Sequence, residues 1–130
     1  MNQKNKIIVG LTEQNKLVAI LCLKDGSKYK IEDDGSYPTL NRSELNIIVI
    51  ALRKFKPNAI VEVYCNSSYV SNMFNGGLVK KWEKNGWLTQ KNETVKNNDL
   101  IEDLLEITKQ LNVTFYGPNI RRRILEGLYD

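Results

Sequence analysis

The sequence predicts an α/β fold: a mixed five-stranded sheet, built from an antiparallel three-strand meander plus two parallel strands, flanked by helices. Three observations carry this expectation. Short apolar runs crowd residues 7–31 and are separated by turn residues. Two further apolar, β-branched runs, at 59–65 and 113–116, stand apart from these and from each other. Between and after them lie stretches with apolar residues at helical spacing. A meander extended by βαβ-type crossovers gives a mixed sheet covered by helices.

Taken in order, Ile7-Ile8-Val9 is the first strand-like run, 17–23 the second and 28–31 the third. Asp25-Gly26 between the last two is a hairpin signal, because both residues tolerate positive φ. Residues 33–38, which include Gly35 and Pro38, read as a loop. Leu45, Ile48, Val49, Leu52 and Phe55 recur at helical spacing and predict an amphipathic helix over 41–55, with Pro57 beyond its end. Residues 59–65 are almost continuously apolar, as in a strand covered on both faces. A helix over 67–74 is broken by Gly76-Gly77, and a second over 78–85 ends at Gly86. Asn97 or Asn98 caps a helix to about residue 111, whose inner side carries Leu100, Ile101, Leu104, Leu105 and Leu111. Residues 113–116 form the last strand and 120–128 a terminal helix. No internal repeat, low-complexity tract or linker interrupts the chain, so 1–130 reads as a single domain.

Composition narrows the chemistry. The 42% hydrophobic and 26% charged fractions are those of a globular protein. No apolar run reaches membrane-spanning length and Met1 is followed by polar residues, so the expectation is a cytoplasmic protein without a membrane partner. Histidine is absent, which excludes Ser-His-Asp and Cys-His catalysis and any His-containing zinc site within these residues. Cys22 and Cys65 each sit in an apolar run and are expected to be reduced. A net charge of +4 is compatible with a polyanionic partner without demanding one.

Four segments then stand out in a fixed order: Thr39-Leu40-Asn41-Arg42-Ser43-Glu44-Leu45, Cys65-Asn66-Ser67-Ser68-Tyr69-Val70, Trp82-Glu83-Lys84-Asn85-Gly86-Trp87 and Val95-Lys96-Asn97-Asn98-Asp99-Leu100. Together they resemble the type 1 ribonuclease H family, which reads roughly T-x-N-R-x-E-L, D-S-x-Y-V, W-x-x-x-G-W and K-N-x-D-L-W. The resemblance spans about residues 7–116. It implies the ribonuclease H-like fold, in which the first strand lies between the second and fourth. It also implies hydrolysis of the RNA strand of an RNA/DNA hybrid by two magnesium ions held by four carboxylates.

Of those four carboxylates, Glu44 alone carries over. The resemblance expects an aspartate near Gly10, and Asn66 stands where the family has another. In place of the last aspartate and its histidine loop the chain has Gly117-Pro118-Asn119-Ile120-Arg121-Arg122-Arg123, while Glu126 and Asp130 are out of register. The expectation is therefore no metal and no cofactor. Glu44 and Asn66 are the remaining candidates for the catalytic positions, and magnesium enters only with residual activity. Both also have structural readings: Asn41 and Glu44 have capping-box spacing, and Asn66 suits a helix N-cap.

The substrate-facing pattern is better kept. The resemblance implies that Thr39 and Asn97 grip a DNA phosphate, that Asn41 reaches the minor groove, and that Trp82 and Trp87 belong to a basic protrusion. Segment 80–96 carries five lysines, Lys84 and Lys96 among them, against two glutamates. Lysines beside tryptophan and amides suit a sugar-phosphate backbone; equally, Trp87 could pack the protrusion onto the core, and for Trp82 packing and contact weigh the same. The functional expectation is a catalytically degenerate ribonuclease H-like domain, not an enzyme, that binds an RNA/DNA hybrid or duplex through Thr39, Asn41, Trp82, Lys84, Lys96 and Asn97 without cleaving it. The alternatives are a protein-interaction module on the same scaffold, with a protein partner, and a weakly active magnesium-dependent hybrid endoribonuclease with rearranged ligands.

Overall fold

β1 (Asn5–Leu11), β2 (Leu17–Cys22) and β3 (Lys28–Glu32) form the expected antiparallel meander in a computed structural model that describes residues 4–129, with side chains through residue 126. Asp130 lies outside the described residues. The β2–β3 hairpin closes where Gly26 takes a φ of 94° and the Ser27 N–H donates to Asp25 Oδ1 at 2.8 Å. β4 (Ile60–Tyr64) and β5 (Asn112–Tyr116) add in parallel beyond β1, giving the order β3-β2-β1-β4-β5. That order puts β1 between β2 and β4, as the resemblance implies. It also separates Cys22 from Cys65, and both thiols are free.

The helices are α1 (Leu40–Leu52), α2 (Ser68–Asn75), α3 (Leu78–Asn85), α4 (Asn98–Gln110) and α5 (Pro118–Tyr129). α1 lies across β1 and β2 and packs against α4. The core they close holds Ile7, Val9, Val61 and Val63 from the strands, Leu45, Ile48 and Leu52 from α1, and Ile101 and Leu104 from α4, all fully buried. Each such side chain contributes roughly 1.5–3 kcal/mol by leaving water. The opposite face of β4 and β5 is covered too. Tyr64 stacks on Tyr116 with centroids 5.0 Å apart, and the Tyr116 hydroxyl donates to Glu62 Oε2 at 3.2 Å.

Several element ends differ from the sequence expectation, each for a local reason. α1 begins at Leu40 because Thr39, in extended conformation, accepts the Arg42 N–H on its hydroxyl. Thr39 is thus the N-cap, and Asn41 with Glu44 form no capping box. α1 stops at Leu52 rather than Phe55, since Lys54 and Phe55 donate back three residues, to Ala51 and Leu52, and tighten the last turn ahead of Pro57. Ser67, not Asn66, caps α2 by accepting the Tyr69 N–H at 3.4 Å. α2 ends at Gly76, whose N–H donates to the Asn72 carbonyl at 2.8 Å in an approach that only glycine permits, since a Cβ there would lie 2.7 Å from that oxygen. Proline at the first position of α5 lacks only an N–H that a helix start leaves unpaired anyway.

Candidate functional site

The parallel pairing of β1 with β4 fixes the centre of the site. Ile8 lies opposite Tyr64, so two residues further on Gly10 and Asn66 leave the carboxyl ends of neighbouring strands side by side. Glu44 reaches this point from the second turn of α1 and is 2% exposed. Its Oε2 accepts the Asn66 backbone N–H at 2.6 Å, and its Oε1 accepts the Ser67 hydroxyl at 2.6 Å. Burial pushes the Glu44 carboxyl above the usual carboxylate range. The Ser67 and Asn66 hydrogen bonds, and the charge of Arg121, offset part of that rise. Burial and the nearby Glu44 also push the Cys65 thiol up.

Arg121 arrives from the first turns of α5, which follows β5 across Gly117. Its Nη1 lies 3.6 Å from the point a Cβ on Gly10 would occupy. Its Nε is buried without a hydrogen-bond partner, and among the described residues it forms no ion pair within 4.0 Å. The Asn66 side-chain amide likewise has no hydrogen-bond partner among the described residues. The centre therefore contains one carboxylate, one amide, one glycine and one guanidinium.

This donor set does not fit a divalent metal pair. Magnesium needs near-octahedral oxygen ligation, and no group of three or more His, Cys, Asp or Glu side chains that could hold a metal occurs among the described residues. Electrostatics weigh the same way. A divalent ion placed about 4 Å from a guanidinium would meet roughly 8 kcal/mol of repulsion at an effective dielectric constant of about 20, twice the figure for two unit charges.

A second cluster forms where the N-termini of α1 and α4 meet. Arg42 donates from Nη1 and Nη2 to Asp99 at 2.9 and 2.5 Å, and from Nη1 to Asn97 Oδ1 at 3.3 Å. Its guanidinium also lies over the Tyr37 ring at 4.6 Å. Asn97 adopts a φ of 63° and donates from Nδ2 to the Tyr69 hydroxyl at 3.1 Å. Thr39 is joined to this cluster through its cap on the Arg42 N–H. Asn41 is exposed on the first turn of α1.

The protrusion is α3 and the turn after it. Trp82 and Trp87 are tilted against each other at 6.4 Å between centroids, and both pack on the core while half-buried. Packing thus accounts for Trp87 and for much of Trp82. Lys84, in the last turn of α3, and Lys96, beside Asn97, are exposed. Lys109 donates to Glu83 at 2.7 Å and ties α3 to α4. Sequence reasoning missed Arg42, Tyr69 and Ser67 as organising residues. All three lie inside the quoted motifs, and that membership was the available signal.

A five-stranded mixed sheet of this order, with its crossover helices and a carboxylate at the ends of β1 and β4, defines the ribonuclease H-like class. The ribonuclease H family model matches residues 11–116, and the chain belongs to that family. The matched span begins one residue after Gly10 and ends at the last residue of β5, so Gly10 and Arg121 both lie outside it. The chain is 38% identical over 97 residues to a ribonuclease H of Thermoanaerobacter sp. (strain X514), which covers 75% of this chain and 63% of that protein. It is 41% identical over 78 residues to a ribonuclease H of Chlorobium luteolum, covering 60% of this chain and 53% of that protein. The chain thus spans less than two thirds of the length of these relatives. The solution structure of the PFV RNase H domain superposes with a TM-score of 0.67 at 14% identity, over 90% of this chain and 79% of that one. A foamy viral protease-reverse transcriptase in complex with an RNA/DNA hybrid superposes with a TM-score of 0.66 at 14% identity, over 94% of this chain and 18% of that one. Among the described residues no helix is long and apolar enough to cross a membrane.

Proposed function

We infer that residues 1–130 act as one ribonuclease H-family domain that binds an RNA/DNA hybrid or a duplex without cleaving it. The observation that carries this reading is the centre itself: the resemblance expects an aspartate near Gly10 and another at Asn66, neither is there, and the one carboxylate left, Glu44, is engaged with Asn66 and Ser67. Losing transition-state charge stabilisation at even one such centre costs on the order of 10²-fold or more in rate. The binding side is supported by Thr39, Asn41, Lys96 and Asn97, which keep the family's pattern while the metal-facing positions depart from it, and by Lys84, which adds positive charge to the protrusion. The solved foamy viral relative was captured on a hybrid, which agrees with this partner class. A cytoplasmic setting, as expected from the sequence, belongs to the same proposal.

The test uses a labelled RNA/DNA hybrid incubated with the protein in magnesium or manganese. The expected result is binding at low salt and an intact RNA strand. Metal-dependent cleavage that disappears in Glu44→Ala would overturn the reading in favour of a weakly active nuclease. Absence of binding to hybrid, duplex and single strands would overturn it in favour of a protein-interaction module.

A further inference from the structure

Three features of the centre point the same way. The Arg121 guanidinium lies over Gly10, with Nη1 3.6 Å from the point a Cβ there would occupy. It has no carboxylate within 4.0 Å among the described residues, and its buried Nε has no partner. The neighbouring Asn66 amide is also unpartnered among the described residues, leaving it free to donate. A buried donor without an acceptor is costly to keep, and a guanidinium presents a planar fork of donors suited to phosphate oxygens. One carboxylate and one guanidinium also balance in charge without any bound ion.

We propose that Arg121 takes the place of the metal pair: a cation built into the chain, standing over Gly10 and receiving one backbone phosphodiester of the bound strand. The phosphate would accept from the free guanidinium donors and from the Asn66 amide. The site then needs no divalent ion, and magnesium has no part in binding beyond screening. The phosphate half rests on the binding function proposed above, whereas the displacement of the metal pair does not.

Two arms of one experiment separate these. In the first, manganese binding is followed by electron paramagnetic resonance for Gly10→Asp with Asn66→Asp, and for the same pair with Arg121→Ala added. A Cβ at Gly10 meets only the Arg121 Nη1, at ordinary contact distance, so the backbone there accepts a side chain without a clash at its first carbon. Circular dichroism confirms that each variant is folded. The triple variant should bind manganese about tenfold or more tightly than the double variant, because the repelling charge is gone. Equal binding by the two, whether tight or absent, would overturn the proposal. In the second arm, wild type and Arg121→Met are titrated with an RNA/DNA hybrid across a salt series, with and without magnesium. Arg121→Met should lose affinity several-fold and lower the salt slope by about 0.9, the value of one phosphate contact. An unchanged affinity and slope in Arg121→Met would overturn the phosphate half. If wild type binds no hybrid at all, the proposed function falls, and Arg121 is judged by the manganese arm alone.

Discussion

The Glu44 carboxylate and the Asn66 backbone N–H are joined by a 2.6 Å hydrogen bond that spans 22 residues of sequence and locks the end of β4 to α1. The other carboxylate oxygen takes the Ser67 hydroxyl, which itself caps α2. One buried side chain thereby fixes a strand end, a helix start and the backbone of Asn66 between them. The cost is a carboxylate held 2% exposed, which burial opposes and its hydrogen bonds and Arg121 only partly relieve.

That balance sets a pH dependence. The folded-state pKa of Glu44 is raised, so between the ordinary carboxylate value and the folded one the native state holds more protons than the unfolded state. Stability from this group is fully present below the unfolded value and is lost as pH rises through the folded value. Glu44→Gln keeps an acceptor for the Asn66 N–H but carries no charge to bury. Urea unfolding midpoints of wild type should fall relative to those of Glu44→Gln as pH rises above about 4, the ordinary carboxylate value. Parallel pH profiles for the two proteins would show that the charge costs nothing.

The sheet was legible because its signals are local: Asp25-Gly26 for the hairpin, and unbroken apolar runs at 59–65 and 113–116 for the strands. Helix ends were less so. Asn41 and Asn66 are both good caps by residue type, yet Thr39 and Ser67 take the caps, because the chain's exit from a loop or strand decides which hydroxyl faces the free N–H groups. At the site, Glu44 and Asn66 could be read from the motifs, and Gly10 from the missing aspartate of the first strand. The position of Arg121 could not. It lies in an arginine run whose members look alike in sequence, and only the seating of α5 after β5 selects the one that reaches Gly10.

The core predicts a large, simple effect. Leu104 is fully buried on the face of α4 that meets the core. Leu104→Ala removes that side chain where little can collapse into the gap, and should cost about 2–5 kcal/mol of unfolding free energy. Tyr69→Phe should cost less, about 1 kcal/mol, since it removes only the hydroxyl that accepts from Asn97. Denaturant melts of the two variants should rank in that order; a Tyr69→Phe cost equal to that of Leu104→Ala would mean that the Asn97 cluster, rather than the core, holds α4 in place.

The cysteines should differ in reactivity. Cys65 is fully buried and its thiol is pushed up by burial and by Glu44, whereas Cys22 is half-buried. Thiolate is the reactive form, so a thiol reagent should label one cysteine of the native protein quickly and the second only on unfolding. Two strands with a third between them lie about 9.6 Å apart, beyond the roughly 7 Å that a disulfide allows between Cα atoms. Two free thiols per chain are expected under denaturing conditions, and a Cys22–Cys65 crosslink would contradict the strand order.

Binding should be read through its salt dependence. Lys84 and Lys96 are exposed on and beside the protrusion, and neither is held in an ion pair among the described residues. Lysines on flexible stems can follow a sugar-phosphate backbone, and each phosphate they neutralise adds about −0.9 to the slope of log K against log salt on B-form DNA, with a similar order expected for a hybrid. If both engage, affinity for a hybrid should fall several-fold to tens-fold between low and physiological salt. Lys84→Glu with Lys96→Glu should flatten that slope by about 2. Tyr69→Phe should leave the slope nearly unchanged while weakening binding, because it loosens Asn97 without removing a charge. Fluorescence anisotropy with a labelled hybrid measures both quantities, and a double lysine variant with the wild-type slope would move the binding surface off the protrusion.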